Sequence, residues 1–286
     1  MILCFDIGGS RIKAAQGGVG LGEVATPIGD FAAFVAALRG FMAGAVRGVA
    51  IAIAGVVDAE TGVIKVANIP CLDGRRVEAE LAEALGVPVL VLNDADCFAL
   101  AEARAGAGVG QRSVFGVILG TGVGGGLVID GRLVTGAGGY AGEWGHGPVI
   151  REPAFACGCG QVGCVDTIGG ARGLERLHLH LTGQALGAEE ILRRWKAGEA
   201  GTVAAWLDLV SGPLAMVVNV VGASIVPVGG GLANDADLIA ALDVAVRARI
   251  LRKTDRPLVV VAQVSADAGL VGAAAAGEAV FGTARH

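Results

Sequence analysis

"SVFGVILGTGVGGGLVIDGRLVTG" spans residues 113–136, and it repeats the plan of "ILCFDIGGSRIKAAQGGV" at residues 2–19. Each stretch is an apolar run, a turn of neighbouring glycines, and a second strand-like run. That pattern reads as strand, tight turn, strand. Gly120, Gly122 and Gly125 also satisfy G-x-G-x-x-G, but the dinucleotide fingerprint needs a helix next. Here "GLVIDGRLV" (126–134) follows and alternates as a strand does. The two stretches are therefore hairpins, and each opens one half of the chain.

Strands and helices alternate behind each hairpin. In the first half, "DFAAFVAALRGFMAGA" (30–45) has apolar residues at helical spacing, "GVAIAIAGVV" (48–57) is a buried strand, and "VEAELAEALG" (77–86) is a helix stopped by Gly86. "PVLVLND" (88–94) is a strand and "ADCFALAEARAGAG" (95–108) a helix. In the second half come the helix "LDLVSGPLAMVVNVVG" (207–222), the strand and glycine loop "SIVPVGGGLAN" (224–234), and the helix "DADLIAALDVAVRARI" (235–250). A strand, "PLVVVAQVS" (257–265), and a last helix, "DAGLVGAAAAGEAVF" (267–281), complete it. The expected class is α/β, a duplicated core of mostly parallel sheets with a cleft between two lobes, divided near Gly106–Gly110.

Composition narrows the function. Of 286 residues 53% are hydrophobic and 17% charged, which is globular, and the formal net charge is −5 with no run of Lys or Arg. Binding to nucleic acid or an anionic membrane through a basic face is disfavoured. The opening "MILCFDIGGS" carries Asp6 and no basic n-region, so no signal peptide is expected. Gly, Pro, Asn and Ser interrupt the two long uncharged stretches, 115–129 and 209–234, which read as buried elements rather than membrane spans. Of six cysteines, Cys4, Cys71 and Cys97 are scattered and three are clustered, the usage expected in a reducing, cytoplasmic compartment.

Three groups of residues carry chemistry. The turns Gly8-Gly9-Ser10 and Gly120-Thr121-Gly122, with Gly124 beyond, can aim consecutive backbone N–H groups at a phosphate, unless they are only hairpin turns. A third loop, Gly229–Gly231, follows a strand in the second half, where an adenine or ribose could rest. Asn93 and Asp94 stand at the carboxyl end of a strand before a helix, where ligands of open α/β sheets gather. Asp94 can accept the proton of a hydroxyl that attacks a γ-phosphate; alternatively the pair is a helix N-cap. Asp6, beside the first turn, is a candidate Mg²⁺ anchor or a turn-stabilising side chain. Finally, Cys157, Cys159 and Cys164 form C-G-C-G-Q-V-G-C behind His146, a closed tetrahedral set for structural Zn²⁺. A nucleic-acid zinc ribbon would want a second ligand pair and basic neighbours.

Together these residues resemble the ROK family of sugar kinases and repressors over nearly the whole chain. "DIGGSRIKAA" (6–15), which includes Lys13, is similar to its first phosphate motif and "LGTGVGGGLVIDG" (119–131) to its second. "VLNDADCFALAEA" (91–103) resembles its catalytic segment, and "GEWGH" (142–146) before the cysteines its most specific feature. The resemblance implies an actin- and hexokinase-like (ribonuclease H-like) fold with MgATP in the cleft. Residues 1–108 would form one lobe, with 268–286 packing back on it, and 109–267 the other. Asp94 would be the base for a sugar 6-hydroxyl, and Asn93, Glu143, His146 and Asp166 would hold the other hydroxyls. Gly55 and Asn68 would line the sugar pocket, and Gly230 and Gly231 the nucleotide site. His146 would serve zinc and sugar with its two ring nitrogens. Within the family "ANIP" (67–70) and "NDADCFALAEA" (93–103) are most similar to bacterial N-acetylglucosamine kinases, with glucokinases and N-acetylmannosamine kinases sharing most of these residues. A homodimer is also implied. The family usually carries Glu where Asp166 stands and Asn where Asp96 stands, and it has an Asp-Pro that "GASIVPVGGG" (222–231) lacks. Repressor relatives place a helix-turn-helix ahead of the first lobe, whereas here the first strand is read from Ile2, so a non-enzymatic sugar sensor is disfavoured.

Overall fold

A computed structural model describes residues 1–264 and 267–282. β1 (Ile2–Ile7), β2 (Arg11–Gln16) and β3 (Val19–Ala25) form an antiparallel meander. After α1 (Phe31–Arg39), β4 (Gly48–Ile53) pairs parallel to β1. β5 (Val56–Val57) and β6 (Ile64–Lys65) make a small antiparallel ribbon, and α2 (Val77–Leu85) leads to β7 (Val89–Asn93), parallel to β4. The sheet order is β3-β2-β1-β4-β7. α3 (Asp94–Ala105) then crosses to the second half.

The second half repeats the scheme. β8 (Ser113–Leu119), β9 (Val123–Ile129) and β10 (Arg132–Val134) form the meander, and the cysteine loop and helices α4 (Asp166–Gly169), α5 (Ala171–Thr182), α6 (Ala188–Lys196) and α7 (Gly201–Val221) follow. β11 (Val226–Gly229) adds parallel to β8, α8 (Ala236–Arg247) crosses, and β12 (Val259–Val261) adds parallel to β11, giving the order β10-β9-β8-β11-β12. In each sheet an antiparallel three-strand meander is extended by two strands added in parallel, so the sheets are mixed rather than mostly parallel, within the duplicated two-lobed α/β fold that the hairpins implied. The G-x-G-x-x-G run does pass into a strand, β9.

Local signals place the boundaries. The Asp30 carboxylate caps α1 by accepting the N–H groups of Ala32 and Ala33, and Asp235 caps α8 by accepting that of Leu238. Gly86, at φ 72°, ends α2 in a left-handed turn that costs a glycine little. β4 is buried along its whole length, as a central parallel strand should be. α7 is the one helix among the described residues long and apolar enough to cross a membrane; its buried side chains Val203, Trp206, Val210, Leu214 and Val218 belong to the second lobe's core.

Two helices exchange sides. α3, which leaves the first sheet, lies on β8 and β9, while α9 (Ala268–Phe281), which leaves the second, lies on β1 and β4. They pack on each other, and the fully buried Glu102 fastens the crossing. Its Oε1 accepts the N–H groups of Gln263 and Val264 at 2.9 and 2.6 Å, and its Oε2 that of Ala107 at 2.8 Å. A buried carboxylate with three backbone donors is satisfied without a cation. Residues 283–286 of the terminal segment and Ser265 of the "PLVVVAQVS" stretch lie outside the described residues.

Candidate active site and metal centre

The first glycine turn connects β1 to β2, with Asp6 opposite Lys13 across the pair. Gly8 N–H donates to Arg11 O at 3.0 Å. Thr26 fastens the turn from behind, its hydroxyl donating to Gly8 O at 2.7 Å and its N–H to Ser10 O at 3.0 Å. The N–H groups of Gly9 and Ser10 have no partner among the described residues. In the second turn Gly120 N–H donates to Gly122 O at 3.0 Å, and the N–H groups of Thr121 and Gly122 are likewise unpartnered among the described residues. Both turns thus offer donors for a phosphate. The third loop lies against the second turn: Gly230 sits at φ 89°, and a Cβ there would stand 2.7 Å from the Gly120 nitrogen. Gly231 and Gly124 flank these contacts in open or ordinary packing. Lys13 is within 3.5 Å of Asp267, at the start of α9.

α3 begins at the carboxyl end of β7. Asn93 is its N-cap, with Oδ1 accepting Ala95 N–H at 2.6 Å, so the capping alternative holds for Asn93. Asp94 Oδ1 shares that donor at 2.9 Å. Burial lifts the Asp94 carboxyl above the ordinary carboxylate range; the Ala95 N–H opposes this, and the charges of Asp6 and Glu143 reinforce it. Burial likewise raises Asp6, against the nearby Lys13 and with help from Asp267. Asp96 is buried, its Oδ1 has no partner among the described residues, and burial with the charges of Glu143 and Asp94 pushes it up to about 7. Asp94 thus feels the charges of Asp6 and Glu143, and Asp96 those of Glu143 and Asp94. Asn68 packs against Gly9, its Cβ 3.2 Å from where a Cβ of that glycine would stand. Gly55 follows β4 and runs close to Lys65, where a Cβ would lie 2.8 Å from the carbonyl oxygen.

The loop after β10 carries Glu143, Trp144 and His146. Trp144 anchors it by donating Nε1–H to Gly124 O at 3.0 Å and by packing edge-on to Phe115. Burial raises Glu143, with His146 opposing and Asp166 reinforcing the shift. Nε2 of His146 stands 3.7 Å from Glu143 Oε2, and its Nδ1 stands 3.7 Å from Cys157 Sγ. Cys159 Sγ and Cys164 Sγ are 3.6 Å apart, and all four donor atoms lie within 4.8 Å of one another. A tetrahedral ion with bonds of about 2.3 Å to sulfur needs sulfur–sulfur edges of about 3.8 Å, so the donors fit one. The backbone curls to allow it: Cys157 N–H donates to Gln161 O at 2.8 Å, and Gly160 turns at φ 91°. A hydrogen bond from the Gln161 backbone holds Cys159 down to about 7, whereas burial pushes Cys157 up to about 12, so an ion entering the full set displaces protons.

Asp166 stands between the metal loop and the second glycine turn. Its N–H donates to Gly145 O at 2.9 Å, and its Oδ1 accepts Val123 N–H at 2.8 Å. Its Oδ2 lies 3.8 Å from Cys157 Sγ. Thr26, Trp144 and Asp267 were invisible as site residues in the sequence, since each acts through a partner far along the chain. The only local signal was the Asp96 departure.

The comparisons with known proteins agree with this geometry. The family model described as "ROK family" matches residues 28–279. An N-acetylgalactosamine kinase AgaK of Shewanella sp. (strain ANA-3) is 36% identical, covering 95% of both chains. An N-acetyl-D-glucosamine kinase of Pasteurella multocida is also 36% identical, covering 75% of each. The ROK hexokinase crystal structure from Thermus thermophilus superposes with a TM-score of 0.83 at 31% identity, covering 96% of both chains. With the family model matching most of the chain and relatives 36% identical along up to 95% of it, the chain belongs to the ROK family.

Proposed function

We propose that this ATP-dependent sugar kinase phosphorylates the 6-hydroxyl of N-acetyl-D-glucosamine, giving N-acetylglucosamine 6-phosphate and ADP. The observation that carries the reading is Asp94, a buried carboxyl lifted above its ordinary range at the start of α3, between a donor-bearing glycine turn and Glu143. A raised basicity suits a group that takes a proton from an alcohol. The unpartnered turn N–H groups receive the nucleotide phosphates, and Asp6, with Lys13 nearby, holds the Mg²⁺. Phosphoryl transfer asks mainly for positioning and charge stabilisation, and these groups supply both.

Glu143 and the Nε2 face of His146 receive sugar hydroxyls, with Asn68 and Gly55 bordering the pocket. The three thiols and Nδ1 of His146 hold a structural Zn²⁺, which supplies no chemistry to the transfer beyond fixing the imidazole. Thiolate ligation suits a cytoplasmic setting. Small-molecule sugar and MgATP are the partners on this reading, and light scattering decides whether the expected homodimer forms.

The N-acetylgalactosamine kinase among the relatives favours one second reading, the C4 epimer as acceptor. A coupled ADP-release assay with N-acetylglucosamine, N-acetylgalactosamine, N-acetylmannosamine and glucose tests both. Highest kcat/KM with N-acetylglucosamine supports the first, and preference for a sugar lacking the acetamido group sinks it.

A further inference from the structure

We propose that Asp166 is a positioning residue for the second glycine turn, tying the Val123 N–H to the loop that follows the three cysteines. The proposal rests on the kinase reading only for its nucleotide consequence. Val123 is the first residue of β9, directly after the turn whose Thr121 and Gly122 N–H groups have no partner among the described residues. Asp166 Oδ1 accepts its N–H at 2.8 Å. The backbone of Asp166 is itself held by Gly145, inside the loop that carries His146, and two residues earlier Cys164 is a metal-cluster donor. Further along, Ala171 N–H donates to Gly120 O at 2.7 Å. The turn is therefore gripped at both ends by the segment 166–171.

Gly122 shows how close this approach is. A Cβ added there would overlap Asp166 Oδ1, and the three atoms nearest to it all belong to that carboxyl group. The turn has no side chain at 122 because the carboxylate occupies that space. An aspartate reaches the Val123 amide from this backbone position, so one of its oxygens is committed to the turn and not to a ligand. The consequence is a mechanical link: order in the cysteine loop sets the shape of a turn whose N–H groups are offered to a phosphate.

Two readouts test this. Amide exchange followed by NMR or mass spectrometry should show Val123 protected in the wild type and in Asp166→Asn, which keeps an acceptor oxygen, and exposed in Asp166→Ala. Calorimetric titration with magnesium AMP-PNP should show Asp166→Ala weakened by about tenfold or more, the scale of a lost charge-assisted hydrogen bond, and Asp166→Asn by much less. Gly122→Ala should displace the carboxylate and weaken nucleotide binding similarly. The double variant Asp166→Ala/Gly122→Ala should be no worse than either single change, because both act through one contact. Additive effects, or Asp166→Ala losing N-acetylglucosamine affinity while AMP-PNP binding is unchanged, overturn the assignment. If the wild type binds no AMP-PNP yet Val123 protection depends on Asp166, the tether stands and the kinase reading falls.

Discussion

Nε2 of His146 faces Glu143 Oε2 at 3.7 Å while the opposite ring nitrogen faces Cys157. One imidazole therefore connects the cysteine cluster to the Glu143 carboxylate. A ligated ring cannot rotate, so its second nitrogen is presented at a fixed place. Cys159→Ser should lose the metal and most of the sugar affinity together. Elemental analysis alongside the Michaelis constant for the sugar checks it, and a metal-free variant with an unchanged constant would refute the link.

Asp94 is the group whose loss should be felt in turnover. Asp94→Asn keeps the oxygen that accepts the Ala95 N–H and removes the proton acceptor. General-base assistance contributes about 10²–10⁴-fold, so kcat should fall by at least that range while sugar binding stays measurable by calorimetry. The raised carboxyl also predicts the pH profile of the wild type. On the proposed reading a general base works ionised, so kcat/KM should decline with falling pH at values above the usual aspartate range.

Asp96 should govern the alkaline side of behaviour. It lies on the first turn of α3, faced by Glu143 from the loop after β10 and by Asp94 from its own helix, and it titrates near 7. Its folded pKa is above the unfolded one, so its contribution to stability is full below the unfolded value and is lost as pH rises through about 7. Asp96→Asn is neutral throughout. Thermal melts should show the variant gaining on the wild type at pH 8, by the order of a few kcal/mol since one pKa unit is ~1.4 kcal/mol, and matching it near pH 3. Equal pH dependence in both proteins would mean that Asp96 titrates normally.

What the sequence made legible followed from distance along the chain. The two glycine-turn hairpins, the end of α2 at Gly86 and the gathering of the three cysteines with His146 are local patterns, and each stands where its pattern put it. β3 was not legible, because "VGLGEVA" (19–25) is exposed at all seven positions and shows no apolar face. α5 and α6 were legible and passed over: each is strongly amphipathic, with Leu174 and Leu177 buried in one and Ile191 and Leu192 in the other against a charged opposite face. α7 begins at Gly201, earlier than the apolar run suggests, and Pro213 lies inside it. The exchange of α3 and α9 between sheets, and the bond from Asp166 to Val123, join residues whose proximity only the fold creates.

The bed beneath α3 supplies a last prediction. Gly116 of β8 and Gly126 of β9 are paired directly across the two strands, and α3 rests on them. A Cβ at Gly126 would lie 2.7 Å from Ala95 O and 3.0 Å from Asp96 Cα, which is the first turn of the helix. Both would also meet Ala99 at 2.9 Å, but the nearest atoms to a Cβ at Gly116 are those of Ala99 and Phe98 alone, one turn further along. Either alanine overpacks the contact, with an expected cost of about 1–3 kcal/mol. Only Gly126→Ala displaces the turn that carries Asp94, and a shift of about 1 Å at a reacting group can cost on the order of 10²-fold in rate. Gly126→Ala should therefore lower kcat strongly, and Gly116→Ala should lower the melting temperature with kcat nearly kept. Steady-state kinetics at a temperature where both variants remain folded decides it, and equal losses of kcat would show that the glycine bed supports the helix without aiming Asp94.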